Sequence, residues 1–169
     1  MSFALGIDVG GTKVLGGVVD DSGAIVKTAR RDTPREGGPA LTGTIAAVAQ
    51  ELMQEFDIDA VGVSAAGFIS SDRKTMLATP NIAGWNGVRL TDQLEKLIGR
   101  KVVLENDANS AAWGEKRFGA GKRFNTVIML TVGTGLGGGL IVDNHLYRGA
   151  FGIGAEFGHT RAVPEGHLC

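Results

Sequence analysis

Three short stretches of this chain carry side chains suited to chemistry. In DVGGTK, residues 8–13, Asp8 ends an apolar strand and Lys13 follows after Gly10, Gly11 and Thr12. In LENDANSAAWGE, residues 104–115, Asn106 and Asp107 stand where a strand gives way to a helix. In GAFGIGAEFGH, residues 149–159, Glu156 and His159 lie three apart, and Cys169 comes ten residues later. Each stretch has a plain structural use beside a chemical one. Asp8 and Thr12 can close a turn on their own backbone. Alternatively Asp8 holds Mg²⁺ through water, while the amides of Gly10 to Thr12 and the Thr12 hydroxyl meet phosphate oxygens. Asp107 suits a helix N-cap. At the carboxyl end of a buried strand, where α/β ligand sites form, it could also take the proton of an alcohol while the Asn106 amide fixes a second hydroxyl. Glu156 and His159 make a hydrogen-bonded pair near a turn in the simplest reading. One histidine with one cysteine falls short of the four ligands of structural zinc, and the spacing recruits neither His145 nor His167.

The elements that must position these groups are readable from periodicity. Strand patterns cover residues 4–9, 14–20 and 24–30, the last two joined by the polar turn Asp20–Gly23. After TPREGGP, the stretch ALTGTIAAVAQELMQEF sets Leu41, Ile45, Val48, Leu52 and Phe56 at helical spacing. DAVGVSAAG then reads as a buried strand and TDQLEKLIG as a helix capped by Thr91 or Asp92 and closed by Gly99. KVVLEN reads as a strand, and 107–119 as a helix ending at Gly119. A three-stranded meander followed by alternating helix and strand predicts an α/β fold.

A repeat lies within the chain. LTVGTGLGGGLIVD, residues 130–143, superposes without a gap on IDVGGTKVLGGVVD, residues 7–20, matching Val9 with Val132, Gly10 with Gly133, Gly16 with Gly139 and Asp20 with Asp143. Both copies read strand, glycine turn, strand, acidic turn, as expected of a duplicated unit whose two hairpins present amides to one set of phosphates. Gly133, Gly135 and Gly138 also satisfy G-x-G-x-x-G, with Glu156 near the place of a ribose-binding acid. That motif requires a helix next, and GGLIVDNHLYRG is β-rich with a turn at Asp143 and Asn144, which argues against dinucleotide binding. No G-x-x-x-x-G-K-[ST] is present. The chain has 27 glycines where average usage gives about 12, interleaved with Val, Ile and Leu, so they mark tight turns and close approaches of backbone rather than a linker. Acidic and basic residues nearly balance, which argues against a nucleic-acid partner. No apolar run suits a membrane span and the opening residues lack a signal peptide's pattern, so a cytoplasmic location is expected.

DVGGTK, ENDANSAAWGE, TVGTGLGGGLI and GAEFGH, in this order, resemble the ROK family of sugar kinases, its bacterial glucokinases above all, along the whole chain. The resemblance implies an actin-like or hexokinase-like ATPase fold of the ribonuclease H-like type. An N-terminal lobe would span residues 1–120, and residues 121–169 would start a second. It implies transfer of the ATP γ-phosphate to a hexose hydroxyl, glucose being favoured by SAAGF and PNIAGW. By that likeness Asp107 is the base, and Asn106, Glu156 and His159 hold sugar hydroxyls with Gly67 lining the pocket. Asp8, Gly10, Gly11, Thr12, Lys13, Thr131, Gly133, Thr134 and Gly135 would hold ATP with Mg²⁺. In the family the histidine is followed by C-x-C-G-x-x-G-C-x-E, whose cysteines bind structural zinc with it. His159 and Cys169 would be a partial zinc site, and the chain is expected to be truncated there, to leave an apolar sheet face uncovered and to turn over poorly by itself. A homo-oligomer, dimer or tetramer, is implied for the full-length protein. Other readings within reach are a kinase for mannose, fructose or an N-acetyl amino sugar, polyphosphate as donor, a catalytically dead sugar-binding module, and a sugar-responsive transcriptional regulator.

Overall fold

The computed structural model describes residues 2–79, 82–133, 135–161 and 163. Strand β1 (Phe3–Val9) alternates Leu5, Ile7 and Val9 inward with Ala4, Gly6 and Asp8 outward, the two-residue period of a strand with one covered face. It pairs antiparallel with β2 (Lys13–Asp20), which pairs with β3 (Ile25–Asp32) through the Asp20–Gly23 turn. Helix α1 (Gly38–Met53) buries Leu41, Ile45, Val48 and Leu52 against this meander. Gly16 lets it come close: a Cβ there would lie 2.5 Å from Val48 Cγ1. The helix ends before Phe56, contrary to the periodicity, and Phe56 turns back onto Phe3 with ring centroids 5.2 Å apart. Trp85, fully buried, donates from Nε1 to Gly38 O and Thr42 Oγ1, fastening the loop after residue 82 to the start of α1.

Strand β4 (Ile58–Ala65) runs parallel to β1. A small hairpin, β5 (Phe68–Ile69) and β6 (Met76–Ala78), follows, which the periodicity does not predict because such strands are too short for it. Helix α2 (Leu90–Ile98) starts one residue before the expected cap: Arg89 is its N-cap without a side-chain bond, and Asp92 accepts from Arg89 Nε at 2.8 Å instead. It ends on left-handed Gly99, φ 71°. Strand β7 (Val102–Asn106) completes a sheet in the order β3-β2-β1-β4-β7 and runs straight into α3 (Asp107–Phe118). On the opposite face, at Gly6 and Gly62, an added Cβ would meet nothing.

A second sheet, order β10-β9-β8, is made of β8 (Val127–Val132), β9 (Leu136–Val142) and β10 (His145–Leu146). Helix α3 packs on it, and Gly139 plays the part that Gly16 plays for α1: a Cβ there would lie 2.4 Å from Ala112 Cβ. The repeat holds along each strand but not in the pairing. Val9 faces Val14, whereas its match Val132 faces Leu136, one residue short of the position that matches Val14. The second turn is thus tighter by one residue. A strand follows Gly133 and Gly135, which removes the helix that a dinucleotide motif needs. The outward side of β8 leaves Ile128, Leu130 and Val132 exposed, the uncovered apolar face foreseen from the sequence. Among the described residues no helix is long and apolar enough to cross a membrane.

Candidate active site

The parallel strands β1, β4 and β7 place their carboxyl ends on one rim. Register aligns Asp8 with Ser64 and Ser64 with Glu105, and in the next row Val9 with Ala65 and Ala65 with Asn106. Asn106, rather than Asp107, caps α3: its Oδ1 accepts from Asn109 N at 3.0 Å. Its Nδ2 donates to Gly67 O at 3.2 Å, which joins two of the predicted sugar-facing residues. Gly67 has φ 139°, and a Cβ would lie 2.6 Å from Ala78 O, so only glycine fits. With the cap supplied by Asn106, the exposed Asp107 carboxylate accepts, among the described residues, from Ala108 N alone at 2.9 Å and stays open beside the positive end of a helix.

Three carboxylates share this opening. Partial loss of hydration and the facing Asp107 push the Asp8 carboxyl above its ordinary value, against the opposing pull of Lys13 and the Ser64 hydroxyl. Burial and then Asp107 raise Glu156, while His159 works the other way. Asp107 is therefore coupled both to the first turn and to the Glu156–His159 segment. His159 ends the 3-10 turn Phe157–His159, is exposed, and has its ring 6.4 Å from that of Phe68. The segment is seated on β9, since a Cβ at Gly138 would lie 2.4 Å from Ala155 O.

The two glycine turns differ in which amides they keep. Gly10 N donates to Lys13 O at 2.9 Å, and Gly133 N donates to Gly135 O at 2.9 Å. In each turn the first glycine therefore spends its N–H internally and shapes the turn. In the first turn the amides of Gly11 and Thr12 have no protein acceptor among the described residues. Thr12 is exposed and Lys13 half-buried at the start of β2. Thr131, near the end of β8, lies over Gly137 beside Ala108: a Cβ at Gly137 would be 2.7 Å from Thr131 Oγ1 and 3.1 Å from Ala108 Cβ. This brings the approach to the second turn next to the start of α3. Thr134 and Cys169 lie outside the described residues.

Asp8 and Asp107 repel one another across this opening, and a divalent cation such as Mg²⁺ would relieve that charge. Zinc has a single described donor, His159, and among the described residues no group of three or more metal-binding side chains occurs. Glu105 escaped the sequence reading. It is 7% exposed; Oε2 accepts from Arg148 Nε at 2.7 Å and forms an ion pair, without a hydrogen bond, with Arg73 Nε at 3.3 Å, while Oε1 accepts from Asn106 N at 3.1 Å and Asn109 Nδ2 at 3.3 Å. The available signal was a glutamate following the apolar run Val102–Leu104 in the strand VVLEN.

The ROK family model matches residues 4–169. The chain belongs to the ROK family. It is similar to the glucokinase of Streptomyces coelicolor, with 47% identity over all 169 residues and 53% of that protein. To the glucokinase of Thermotoga maritima it is 40% identical over 98% of the chain and 52% of that protein. Among solved structures, a ROK family glucokinase from Streptomyces griseus in complex with glucose and AMPPNP superposes with a TM-score of 0.91 at 48% identity, covering 99% of this chain and 53% of that one. The chain thus spans about half the length of the relatives it matches, and within that span this ROK chain has their actin-like ATPase fold.

Proposed function

We propose that this chain carries the catalytic half of an ATP-dependent hexose kinase that converts glucose to glucose 6-phosphate. The observation that carries the reading is the open carboxylate of Asp107, coupled on one side to Asp8 of the glycine turn and on the other to Glu156. The likeness to a glucokinase whose structure holds glucose and AMPPNP supports the choice of both substrates. Asp107 accepts the proton of the sugar C6 hydroxyl as that oxygen attacks the γ-phosphorus, and the bond from that phosphorus to the bridging oxygen breaks to release ADP. Asn106, Glu156 and His159 hold other hydroxyls beside Gly67. The amides of Gly11 and Thr12, the Thr12 hydroxyl and Lys13 face the phosphates from one turn, with Gly10 shaping it. Thr131, Thr134 and Gly135 are assigned to them from the other, with Gly133 shaping it. Mg²⁺, when bound, neutralises developing phosphate charge, and Asp8 is the residue that would hold it.

Residues 1–120 and 121–169 form the two lobe portions in this proposal, with α3 at the seam. A structural zinc bound through His159 and Cys169, a cytoplasmic location and a homo-oligomer belong to the same proposal. The test is ADP release by the intact protein carrying these residues, measured with ATP against glucose, mannose, fructose and N-acetylmannosamine. Fastest turnover with glucose supports the reading. Release of ADP at one rate with and without every sugar overturns it.

A further inference from the structure

Segment 148–159 carries Glu156 and His159, and among the described residues its one side-chain hydrogen bond to the first sheet or its connections is Arg148 Nε to Glu105 Oε2, 2.7 Å. The same carboxylate oxygen meets Arg73 Nε at 3.3 Å, from the turn between β5 and β6. Glu105 Oε1 meanwhile accepts from Asn106 N and Asn109 Nδ2, the two ends of the α3 cap. One buried carboxylate therefore ties the strand before Asp107, the helix after it, and two outlying segments. Those two segments also touch each other: Gly152, φ 90°, sits where a Cβ would be 2.2 Å from Ile69 O. Without the negative charge, Arg73 and Arg148 would be two guanidinium groups facing one another at a partly buried point, and the segment with fewer ties to the first sheet would move.

Resting on the kinase reading above, we infer that Glu105 is a positioning residue that sets the separation between Asp107 and the Glu156–His159 segment, and through it the affinity for the sugar. Glu105 touches neither substrate in this assignment. Its loss should therefore act on the hexose and leave the nucleotide, assigned to the two glycine turns that Glu105 does not touch, nearly untouched.

The experiment compares the intact protein with Glu105→Gln, Arg148→Gln and the double variant. Steady-state kinetics are followed for hexose and ATP, and amide hydrogen exchange is followed along the chain. Expected for Glu105→Gln is a rise of about tenfold or more in hexose KM, with ATP KM changed by less than about twofold. Arg148→Gln, which removes the same bond from the more exposed side, should act in the same direction if Glu105→Gln folds poorly. The double variant should be no worse than the worse single one, because both remove one interaction. Amides of 148–159 should exchange faster while those of β1 and β4 keep their protection. Unchanged hexose KM in both single variants, or exchange that quickens uniformly across the chain, overturns the inference. If the parent protein phosphorylates no hexose, the kinase reading fails. The exchange comparison then decides alone: loosening confined to 148–159 supports the clamp, and uniform loosening overturns it.

Discussion

Gly139→Ala tests how tightly the second sheet holds α3, the helix that begins at Asp107. An added Cβ would lie 2.4 Å from Ala112 Cβ and 3.0 Å from Ala108 O, where ordinary contact begins at 3.4 Å. Neither atom can rotate away, since one is backbone and the other a Cβ on a fully buried alanine. The helix must therefore lift about 1 Å from β9, and overpacking of this kind costs roughly 1–3 kcal/mol. For a chain of this size each kcal/mol lowers Tm by about 2–4 °C. Asp107 precedes Ala108 directly and rides on the same turn, and a misplacement of about 1 Å can cost up to ~100-fold in rate. Gly16→Ala is the control. Its Cβ would lie 2.5 Å from Val48 Cγ1 and 2.9 Å from Leu52 Cδ1, both on α1, which carries none of the site residues. Coupled ADP release at saturating hexose and ATP, measured in the intact protein well below both melting temperatures and divided by the folded fraction, separates the two. Both variants should melt lower, and only Gly139→Ala should lose kcat per folded molecule. If Gly139→Ala keeps that kcat within about twofold of the parent, packing on β9 does not set the position of Asp107.

Asp107→Asn should lower kcat by about 10²–10⁴-fold while hexose affinity, read by isothermal titration, changes little; comparable residual activity would remove Asp107 from the role of base. Asp8→Asn should raise stability near neutral pH. The folded state lifts the Asp8 carboxyl above its ordinary 3.8, so its favourable contribution exists below that value and is lost as pH rises through the lifted one. The gain should stay under about 1 kcal/mol because the carboxyl is open to solvent, and thermal melts of parent and variant should converge near pH 3. A lower Tm for Asp8→Asn at neutral pH would contradict this sign. Asn106→Ala should cost about 1 kcal/mol through loss of the α3 cap, and chemical denaturation should show Asn106→Asp, which keeps the acceptor, recovering most of it.

The outline of the fold was legible because β1, β2 and β8 follow a two-residue alternation and α1 a clear helical one. Boundaries went astray where a side chain had a better partner than periodicity knows. Phe56 sits at helical spacing but gains an aromatic contact with Phe3 by leaving the helix, and Asp92 binds Arg89 rather than capping. The internal repeat was visible, yet its one-residue shift in pairing was not, because register depends on how tightly Gly133 closes on Gly135. At the site, the strand-to-helix junction singled out Asn106 and Asp107. The division of labour between them required coordinates: both residue types cap helices well, and only geometry assigns the cap to Asn106 and leaves Asp107 open. Glu105 was passed over because a buried carboxylate declares itself only through partners, and its charged ones come from residues 73 and 148, far off in sequence.

The placement of Asp107 depends on two unlike constraints. Its distance from Asp8 is fixed through the parallel ladders β1–β4 and β4–β7, whose backbone bonds leave little freedom. Its distance from Thr131 and the second turn is fixed by side-chain packing of α3 on β9, where Gly137 and Gly139 allow contact at the expense of any larger residue. Hydrogen-bonded ladders resist small displacements, whereas a packed interface can shift as a body when one atom is added. Perturbing the ladder side should therefore unfold the first sheet before it moves Asp107. Perturbing the packed side should move Asp107 relative to the second turn while leaving its relation to Asp8 intact. On the proposed kinase reading the second kind of change would separate Asp107 from the phosphate without loss of the fold, which makes Gly139 a sharper probe of that proposal than any residue of the first sheet.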